Sequence, residues 1–535
     1  MSPSPTVAAV AALGAAAAAY LCAVFYRART RFNGLPKPPH SFFWGHLKLV
    51  GEVTASLPPN CHPQVFMTEM ARRYDLKGVW YLDLWPLSYP QVVLTEPELM
   101  EDVQVAQALG QHPLAETVLS SLIGKGSVAT ANGEPWKAAH KAIAPAFSNS
   151  HIRSLTGVMA EEITTFRGTL RKLAASGEVF SMEAELSKAI FDIIGRTVLN
   201  MPLNAQTTGS RYFDHVAELI EIAGESTSMN PLVHLRNYFR LLPLTKRLNG
   251  SLLEKVQERL TLFRTQKMVP SRKDPLSIMD LMLRETVIQD EVNAGEKKAL
   301  DYISEDQLRP IQTNLKALLL GGLGTIVDSL CFTYMLLSKH PEVVQKLREE
   351  HTRVFGADFD ATVRLMVESP EKLPELEYTT CVLKEAMRLF PVGFGVREAP
   401  KGATVRYKDR IYPIDDLVVV PQWHTMHYDP AYFPEPSAFR PERFLDGGVP
   451  RGWFRTFSRG PRKCMGEPLA METLRAVLLL TVRDFDFECA GLKPNAKPRV
   501  TYTDLDTVFG DAVFPWLAIE ARPRGGMMMT VKTVE

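Results

Sequence analysis

The chain reads as a mainly α-helical protein with a small β region, preceded by one N-terminal transmembrane helix. Three observations predict this. Long stretches after Trp136 favour helix, at 136–147, 153–174, 182–198, 212–227 and 251–268. Strand-like runs are few and short. The first 26 residues carry no charged side chain and are rich in Ala.

From Val7 to Tyr26 the chain is uncharged, and about 20 helical residues cross a bilayer's hydrocarbon core. Arg27, Arg29 and Arg31 follow at once. Basic residues favour the cytoplasmic side, so we expect a lumenal tail at 1–6, an anchor at 7–26 and a cytosolic bulk. A cleaved signal peptide is the competing reading, since Ala-rich stretches offer cleavage sites. It would normally open with a basic segment, which Met1–Thr6 lacks. Residues 27–40, with Gly34-Leu35-Pro36-Lys37-Pro38-Pro39, read as a stiff basic and proline-rich hinge.

Residues 41–535 read as one unit. A length of 535 residues would suggest three or four domains at about 150 residues each, but composition stays even, without a long linker or an internal repeat. A formal net charge of +1 gives no reason to expect nucleic acid as a partner. Six cysteines, at 22, 61, 331, 381, 464 and 489, lack CxxC spacing. That excludes a disulfide framework and a zinc site, leaving mostly inert thiols in a reducing compartment.

Within the unit, Trp80–Trp85 and Gln91–Leu94 read as short strands, and Thr95 to Glu98 as a capping box that opens a helix. The tracts 272–289 and 297–303 read as surface connections. Ser304 and Gln307 suggest a second capping box, beginning a long apolar helix to about Ser338. His340-Pro341-Glu342 starts a helix that ends near Gly356, and another spans 375–390. The runs 403–407, 410–414 and 417–421 suggest one antiparallel group. A looser tail is expected around Arg522–Glu535.

One cysteine is set apart by its surroundings. In Phe457-Ser458-Arg459-Gly460-Pro461-Arg462-Lys463-Cys464-Met465-Gly466, the glycines permit close backbone approach to the sulfur. Arg462 and Lys463 bring positive charge, and a helix starting near Gly466 would direct its N-terminus at the thiolate. Read alone, Cys464 is a buried structural thiol beside a turn. The full segment resembles the heme loop of the cytochrome P450 family, Phe-x-x-Gly-x-Arg-x-Cys-x-Gly, at every fixed position. Glu385-Ala386-Met387-Arg388 is similar to that family's Glu-x-x-Arg, whose i, i+3 pair shares a helix face. Pro441-Glu442-Arg443-Phe444 is similar to its Pro-x-Arg-Phe, and the resemblance runs over nearly the whole chain beyond the anchor.

The resemblance implies the cytochrome P450 fold and a heme b cofactor whose iron takes the Cys464 thiolate, a ligand that favours O–O cleavage. Phe457 and Gly466 would border the heme, and Arg462, Arg397 and Trp136 would meet its propionates. His140 stands where the family motif Trp-x-x-x-Arg has Arg, so its charge would depend on pH; the plain reading is a surface helix histidine. In Gly321-Gly322-Leu323-Gly324-Thr325-Ile326 the resemblance implies an oxygen groove, with Thr325 as the hydroxyl that passes protons. The family's acid is replaced by Gly324 and its next hydroxyl by Ile326. Asp328 is nearby, though its ordinary reading is a solvated helix carboxylate.

An apolar substrate wall is expected from Leu318–Leu320, Val392, Phe394 and Val396, the 105–130 loop and Met527–Met529. The resemblance implies electrons from NADPH-cytochrome P450 reductase, with cytochrome b5 as a second donor. Lys137, Lys141, Arg451, Arg455, Arg459 and Lys463 would offer a basic docking face, or simply a scattered set of solvated charges. The expected activity is a heme-thiolate monooxygenase acting on an apolar or aromatic small molecule, from the endoplasmic reticulum membrane. The Ala-rich anchor and the Gly-Gly-Leu-Gly-Thr variant are similar to filamentous-fungal enzymes that oxidise polyketide-type metabolites. Two alternatives remain: a heme-thiolate isomerase or dehydratase working without a reductase, and a non-catalytic heme-binding protein. Asn249-Gly250-Ser251 is a glycosylation sequon expected to stay unmodified in the cytosol.

Overall fold

The Glu305–Leu337 helix forms the spine of the largest apolar cluster. Leu315, Leu319, Leu323, Ile326, Val327 and Leu330 recur at helical spacing and are buried. The helix packs against the Met182–Leu199 helix, closely enough that a Cβ on Gly322 would lie 3.0 Å from Ile194 Cδ1. This computed structural model describes residues 5–225, 231–266, 277–284 and 305–534. Ser304, expected as a cap, lies outside them, as do 272–276, 285–289 and 297–303.

The described part of the first expected surface connection is buried instead. Residues 278–284 are helical, with Ile278, Met279, Leu281 and Leu283 in the core. Asp280, fully buried, receives Nε and Nη2 of Arg259 at 2.6 and 2.9 Å. With Met282, five buried apolar residues are interrupted by one carboxylate, and the stretch reads as core only once that carboxylate's partner is known.

The β structure is minor. β1 (Val79–Leu82), β2 (Gln91–Leu94), β3 (Gly110–Gln111), β5 (Arg397–Glu398) and β8 (Val418–Pro421) form one sheet in the order β1-β2-β8-β5-β3. β4 (Phe180–Ser181), β9 (Phe485–Cys489) and β12 (Met528–Thr533) form a second, and β6 (Thr404–Tyr407) with β7 (Arg410–Pro413) a hairpin. β8 therefore leaves the expected antiparallel group: it pairs in parallel with β2, burying all four of its residues. The tail is not loose, because β12 pairs with both β9 and β4. Thr95 does not cap a helix; its hydroxyl accepts from Gly78 N at 2.9 Å, and Glu96 stands at the N-cap of Pro97–Glu101.

The N-terminal helix spans Pro5–Thr30, and its apolar part, Ala9–Thr30, is exposed with mean hydropathy 1.9. Leu308–Leu337 is also long and apolar enough to cross a membrane, but most of it is core. The basic flank is not a free hinge. Arg29 is buried, pairing with Asp83 at 2.7 Å and donating to Phe43 O and Trp85 O. Phe32 packs in a core cluster, and Pro36 O accepts from Tyr81 N. Arg31 also reaches the globule, donating to Asp415 O and Asp416 O at 3.2 and 3.1 Å, so two of the three basic residues dock the N-terminal helix on the globule. The sequon residue Asn249 lies within the Pro231–Gln266 helix with its amide oxygen buried, so burial alone disfavours a glycan there.

Glu385 sits on the Glu377–Leu389 helix with no solvent exposure. Its carboxylate accepts from Arg388 Nε and Nη2, both at 2.8 Å, from Arg443 Nε at 2.9 Å and from Arg440 N at 3.0 Å. Arg388 also donates to the carbonyls of His427 and Pro436, at 2.7 and 2.9 Å. One anion thus ties the helix to the 427–443 segment. Glu385→Gln removes the charge shared by two guanidinium groups, and breaking such a buried pair costs about 3–5 kcal/mol. Urea unfolding followed by tryptophan fluorescence should show a clearly lowered midpoint; a midpoint unchanged from wild type contradicts the assignment.

Candidate functional site

The Cys464 loop is held by its own backbone. Cys464 N donates to Phe457 O at 2.9 Å, Lys463 N to Gly460 O at 3.0 Å, and Ser458 N to Arg455 O at 2.7 Å. Gly460 has φ +76°, and a Cβ there would lie 2.0 Å from Gln104 O. This glycine therefore serves the approach to the 102–106 turn. Gly466 differs: a Cβ on it would make an ordinary 3.7 Å contact with Cys464 Sγ. Gly466 is the N-cap of the Glu467–Thr481 helix, and the N–H groups of Gly466 and Glu467 act on the sulfur, as the sequence predicts.

Cys464 has accessible surface, but that surface faces an interior cavity, not bulk solvent. Burial is the dominant influence and raises the thiol pKa, against the lowering by these N–H groups and Lys463. The expected flanking cations contribute less than their charges suggest. Lys463 pairs with Glu467, whose carboxylate itself raises the thiol pKa. Arg462 turns away, donating to Ala131 O and, at 2.6 Å, to Asn132 Oδ1.

The cavity, about 260 Å³, separates the loop from the central Glu305–Leu337 helix. Phe457, Arg462, Cys464 and Gly466 line one side, Gly321, Gly322, Thr325 and Ile326 the other, and Trp136 and His140 the edge. A second cavity of about 220 Å³ shares Thr325, Arg462 and Cys464 and adds Arg397, Val392 and Phe394. Trp136 and His140 project from the Gly133–Ile143 helix with ring centroids 5.1 Å apart, and Arg462 stacks 4.3 Å from the Trp136 ring centroid. Arg397, buried in β5, donates to Gln111 Oε1 at 2.8 Å and Ser458 Oγ at 3.3 Å. The sequence places Gln111 only within the expected 105–130 substrate wall and Ser458 only at a variable position of the Cys464 loop, so their bonds to Arg397 have no sequence signal.

Two guanidinium groups thus border one cavity without a carboxylate partner among the described residues. Burial lowers each to about 10, and Arg462 further depresses Arg397. Arg397 Nε is buried with no hydrogen-bond acceptor. An apolar slot with a sulfur on one wall and underused cations at its rim fits heme: a flat apolar ring, a soft metal and two carboxylates.

On the central helix, Thr325 faces this cavity and its hydroxyl donates to Gly321 O at 2.7 Å. Gly324 does not. It borders a separate cavity of about 490 Å³ on the other side of the helix, with Asp328 and Glu520. Gly324 is therefore corrected from a groove residue to a contact of the β10 (Trp516–Leu517) to β11 (Ala521–Arg522) hairpin. Asp328 is also corrected: it is 1% exposed, not solvated.

The residues of the expected substrate wall divide between the cavities and the core. Leu318, Val392 and Phe394 reach the cavities, whereas Leu319 and Leu320 belong to the core and Val396 packs under the sheet. Met529 is buried core in β12. Within 105–130 the middle is the helix Pro113–Ile123, and Gln111, Val128 and Ala129 line the site. The basic face is thinner than its sequence suggests. Arg455 is buried and pairs with Glu101, as does Arg459; Lys137 pairs with Glu134 and Lys463 with Glu467. Lys141 and Arg451 are exposed.

Residues 35–502 match the family model described as Cytochrome P450. The chain is similar to the cytochrome P450 monooxygenase acrF of Aspergillus aculeatus, 31% identical over 90% of this chain and 100% of the relative. It is also similar to the cytochrome P450 monooxygenases polC of Polytolypa hystricis and ptmG of Penicillium ochrochloron. These are 28% and 27% identical, over 90% and 96% of this chain and 87% and 92% of the relatives. The sulfur facing the small-residue stretch of a long core helix thus coincides with a family match over most of the chain. The protein belongs to the cytochrome P450 family and is a heme-thiolate monooxygenase.

Proposed function

We propose that this enzyme binds heme b through the Cys464 thiolate and inserts one oxygen atom from O2 into an apolar or aromatic small molecule. The observation that carries the reading is the shared cavity: Cys464 and the Thr325 hydroxyl line it together, with Arg397 and Arg462 at its rim. When bound, heme supplies the redox chemistry that activates O2. The protein's own contributions are positional. The N–H groups of Gly466 and Glu467 would favour the thiolate against the burial that raises the thiol pKa, and Arg397 and Arg462 would receive the propionates, with His140 beside Trp136. Gly321 and Gly322 leave space beside the central helix, Ile326, Val392 and Phe394 would exclude water, and Thr325 would hold the water that brings protons.

Electrons come from an NADPH-cytochrome P450 reductase, with cytochrome b5 as a second donor. With most of the basic face already in ion pairs, Lys141 and Arg451 are the charges left for docking. The Pro5–Thr30 helix anchors the enzyme in the endoplasmic reticulum membrane, with the catalytic unit cytosolic. The fungal relatives support a substrate from secondary metabolism, and the Gly-Gly-Leu-Gly-Thr variant of the central helix is the ground for a polyketide-type one. The cavities favour monooxygenation over simple heme storage, since both extend from the sulfur to apolar walls.

With reductase, NADPH and isotopically labelled dioxygen, product should carry one labelled oxygen atom; unlabelled product formed without reductase would establish the isomerase or dehydratase alternative. Thr325→Ala should retain heme yet lose about 10²–10⁴-fold in the proton-assisted step, read as less product and more peroxide per NADPH. Wild-type coupling in that variant makes Thr325 a packing residue. Arg397→Leu removes a charged hydrogen-bond donor, a loss of about 1.5–3 kcal/mol. Heme retained per protein after gel filtration should drop, while full retention would remove Arg397 from the heme contacts.

A further inference from the structure

The cavity behind the central helix concentrates charge the proposed chemistry has not used. Its walls include Gly324 and Asp328 from the helix, Glu183, Ser187 and Lys188 from the Met182–Leu199 helix, and Glu520 and Arg522 from the β10–β11 hairpin. An ideal Cβ on Gly324 would lie 2.0 Å from Glu520 Oε1 and 2.7 Å from its carboxyl carbon. No side chain fits at 324 while Glu520 holds this place. The glycine and the glutamate are sterically linked, 196 positions apart in sequence (520 minus 324).

We propose that Glu520 is this enzyme's proton-supplying carboxylate, brought to the helix at Gly324 by the β10–β11 hairpin, with Asp328 beside it. The inference rests on the monooxygenase reading and deepens it. Three carboxylates, Asp328, Glu183 and Glu520, share one guanidinium. Arg522 pairs with Glu183, and Lys188 is already bonded to Glu185 at 2.7 Å. Asp328 Oδ2 is buried without a hydrogen-bond partner. Burial, then the like charges of Glu520 and Glu183, raise Asp328, while burial outweighs Arg522 and brings Glu520 to about 7. A carboxyl group is therefore available to hold and release a proton near neutral pH.

Between the two cavities the helix carries no side chain at two positions. Gly324 faces Glu520 on one side, and Gly321, one turn earlier, lines the Cys464 cavity together with Thr325, where a Cβ would meet nothing within 4 Å. The proposed proton route crosses this side-chain-free strip. Because the Thr325 hydroxyl donates to Gly321 O, its lone pairs are left to accept from a water in the strip. The Glu520 carboxyl gives its proton to that water, the water passes one to the Thr325 oxygen, and Thr325 releases its own hydroxyl proton from Gly321 O into the Cys464 cavity. The Glu520 carboxylate is then reprotonated from solvent past Ser187 and Lys188.

The test needs no known substrate. One NADPH and one proton reduce O2 to hydrogen peroxide, whereas two NADPH and two protons reduce it to two waters. In the heme-loaded full chain with reductase and NADPH, the ratio of peroxide to water reports proton supply. Wild type should shift toward peroxide as pH rises through about 7. Glu520→Gln should release roughly tenfold more peroxide relative to water, a modest fraction of a general-acid contribution, and should lose that pH dependence. Gly324→Asp combined with Glu520→Ala moves the carboxylate onto the helix and should restore a low peroxide fraction.

Thermal unfolding of the same heme-loaded proteins is the readout independent of turnover. Native Glu520 keeps its proton to about 7, while the unfolded chain loses it near 4.5. The native state binds more protons between those values, so wild-type stability should fall as pH rises across them, and less so in Glu520→Gln. Identical peroxide ratios and identical pH profiles in wild type and Glu520→Gln overturn the proton role while leaving the monooxygenase reading intact. Wild type that consumes no NADPH with reductase overturns both.

Discussion

One buried carboxylate holds together the parts that make the site. Glu385 binds Arg388 from its own helix and Arg443 from 58 residues on, and it has no exposure to water. Arg388 in turn reaches the carbonyls of His427, Pro436 and Ala438. Buried ion pairs of this kind contribute little net stability compared with an apolar core, but they tolerate few alternative arrangements. The segment they fix leads directly into the Cys464 loop, whose approach is further tied by Thr456 Oγ1 donating to Met387 O at 3.2 Å. The Glu377–Leu389 helix, carrying both Glu385 and Met387, is therefore a common reference for the chain on either side of the sulfur.

The same reliance on satisfied charge explains the loop's other side. Arg455 is buried and divides its donors among Gln104, Pro97 O and Glu101. Together with the backbone contact between Gly460 and Gln104, this pins the Cys464 loop to the 97–106 helical segment. A residue that looks like part of a docking surface is here a structural pin, and its charge is unavailable to a partner. Arg397 and Arg462 are the contrast, since they line the cavity and bond only neutral acceptors, with no carboxylate partner among the described residues.

Much of this was legible in sequence because the decisive patterns are local. The Cys464 loop, the i, i+3 pair at 385 and 388 and the apolar period of the central helix each express one backbone geometry in one short stretch. What could not be read depends on distant partners. β8 reads as a neighbour of β6 and β7, but four consecutive buried residues suit a parallel position beside β2. Residues 278–284 read as surface because Asp280 interrupts them, and only Arg259 reveals that the carboxylate is neutralised in the core. Gly324 reads as a missing acid in the oxygen groove; Glu520, from a hairpin near the C-terminus, occupies the space its side chain would need. The strand at 418–421 and the helix carrying Gly324 were identifiable and the helix at 278–284 was not, while in each case the partner was encoded far away.

The central claim is that Cys464 is the thiolate ligand of a heme held in this cavity, and the spectrum of the reduced protein with carbon monoxide tests it most directly. Were Cys464 to hold the heme iron as thiolate, the carbon monoxide complex would absorb at a long Soret wavelength that neutral ligands do not produce. Wild type should show that band, and Cys464→Ser should lose it because a neutral hydroxyl is a poor ligand for soft iron. A full-strength long-wavelength band in Cys464→Ser would contradict the account.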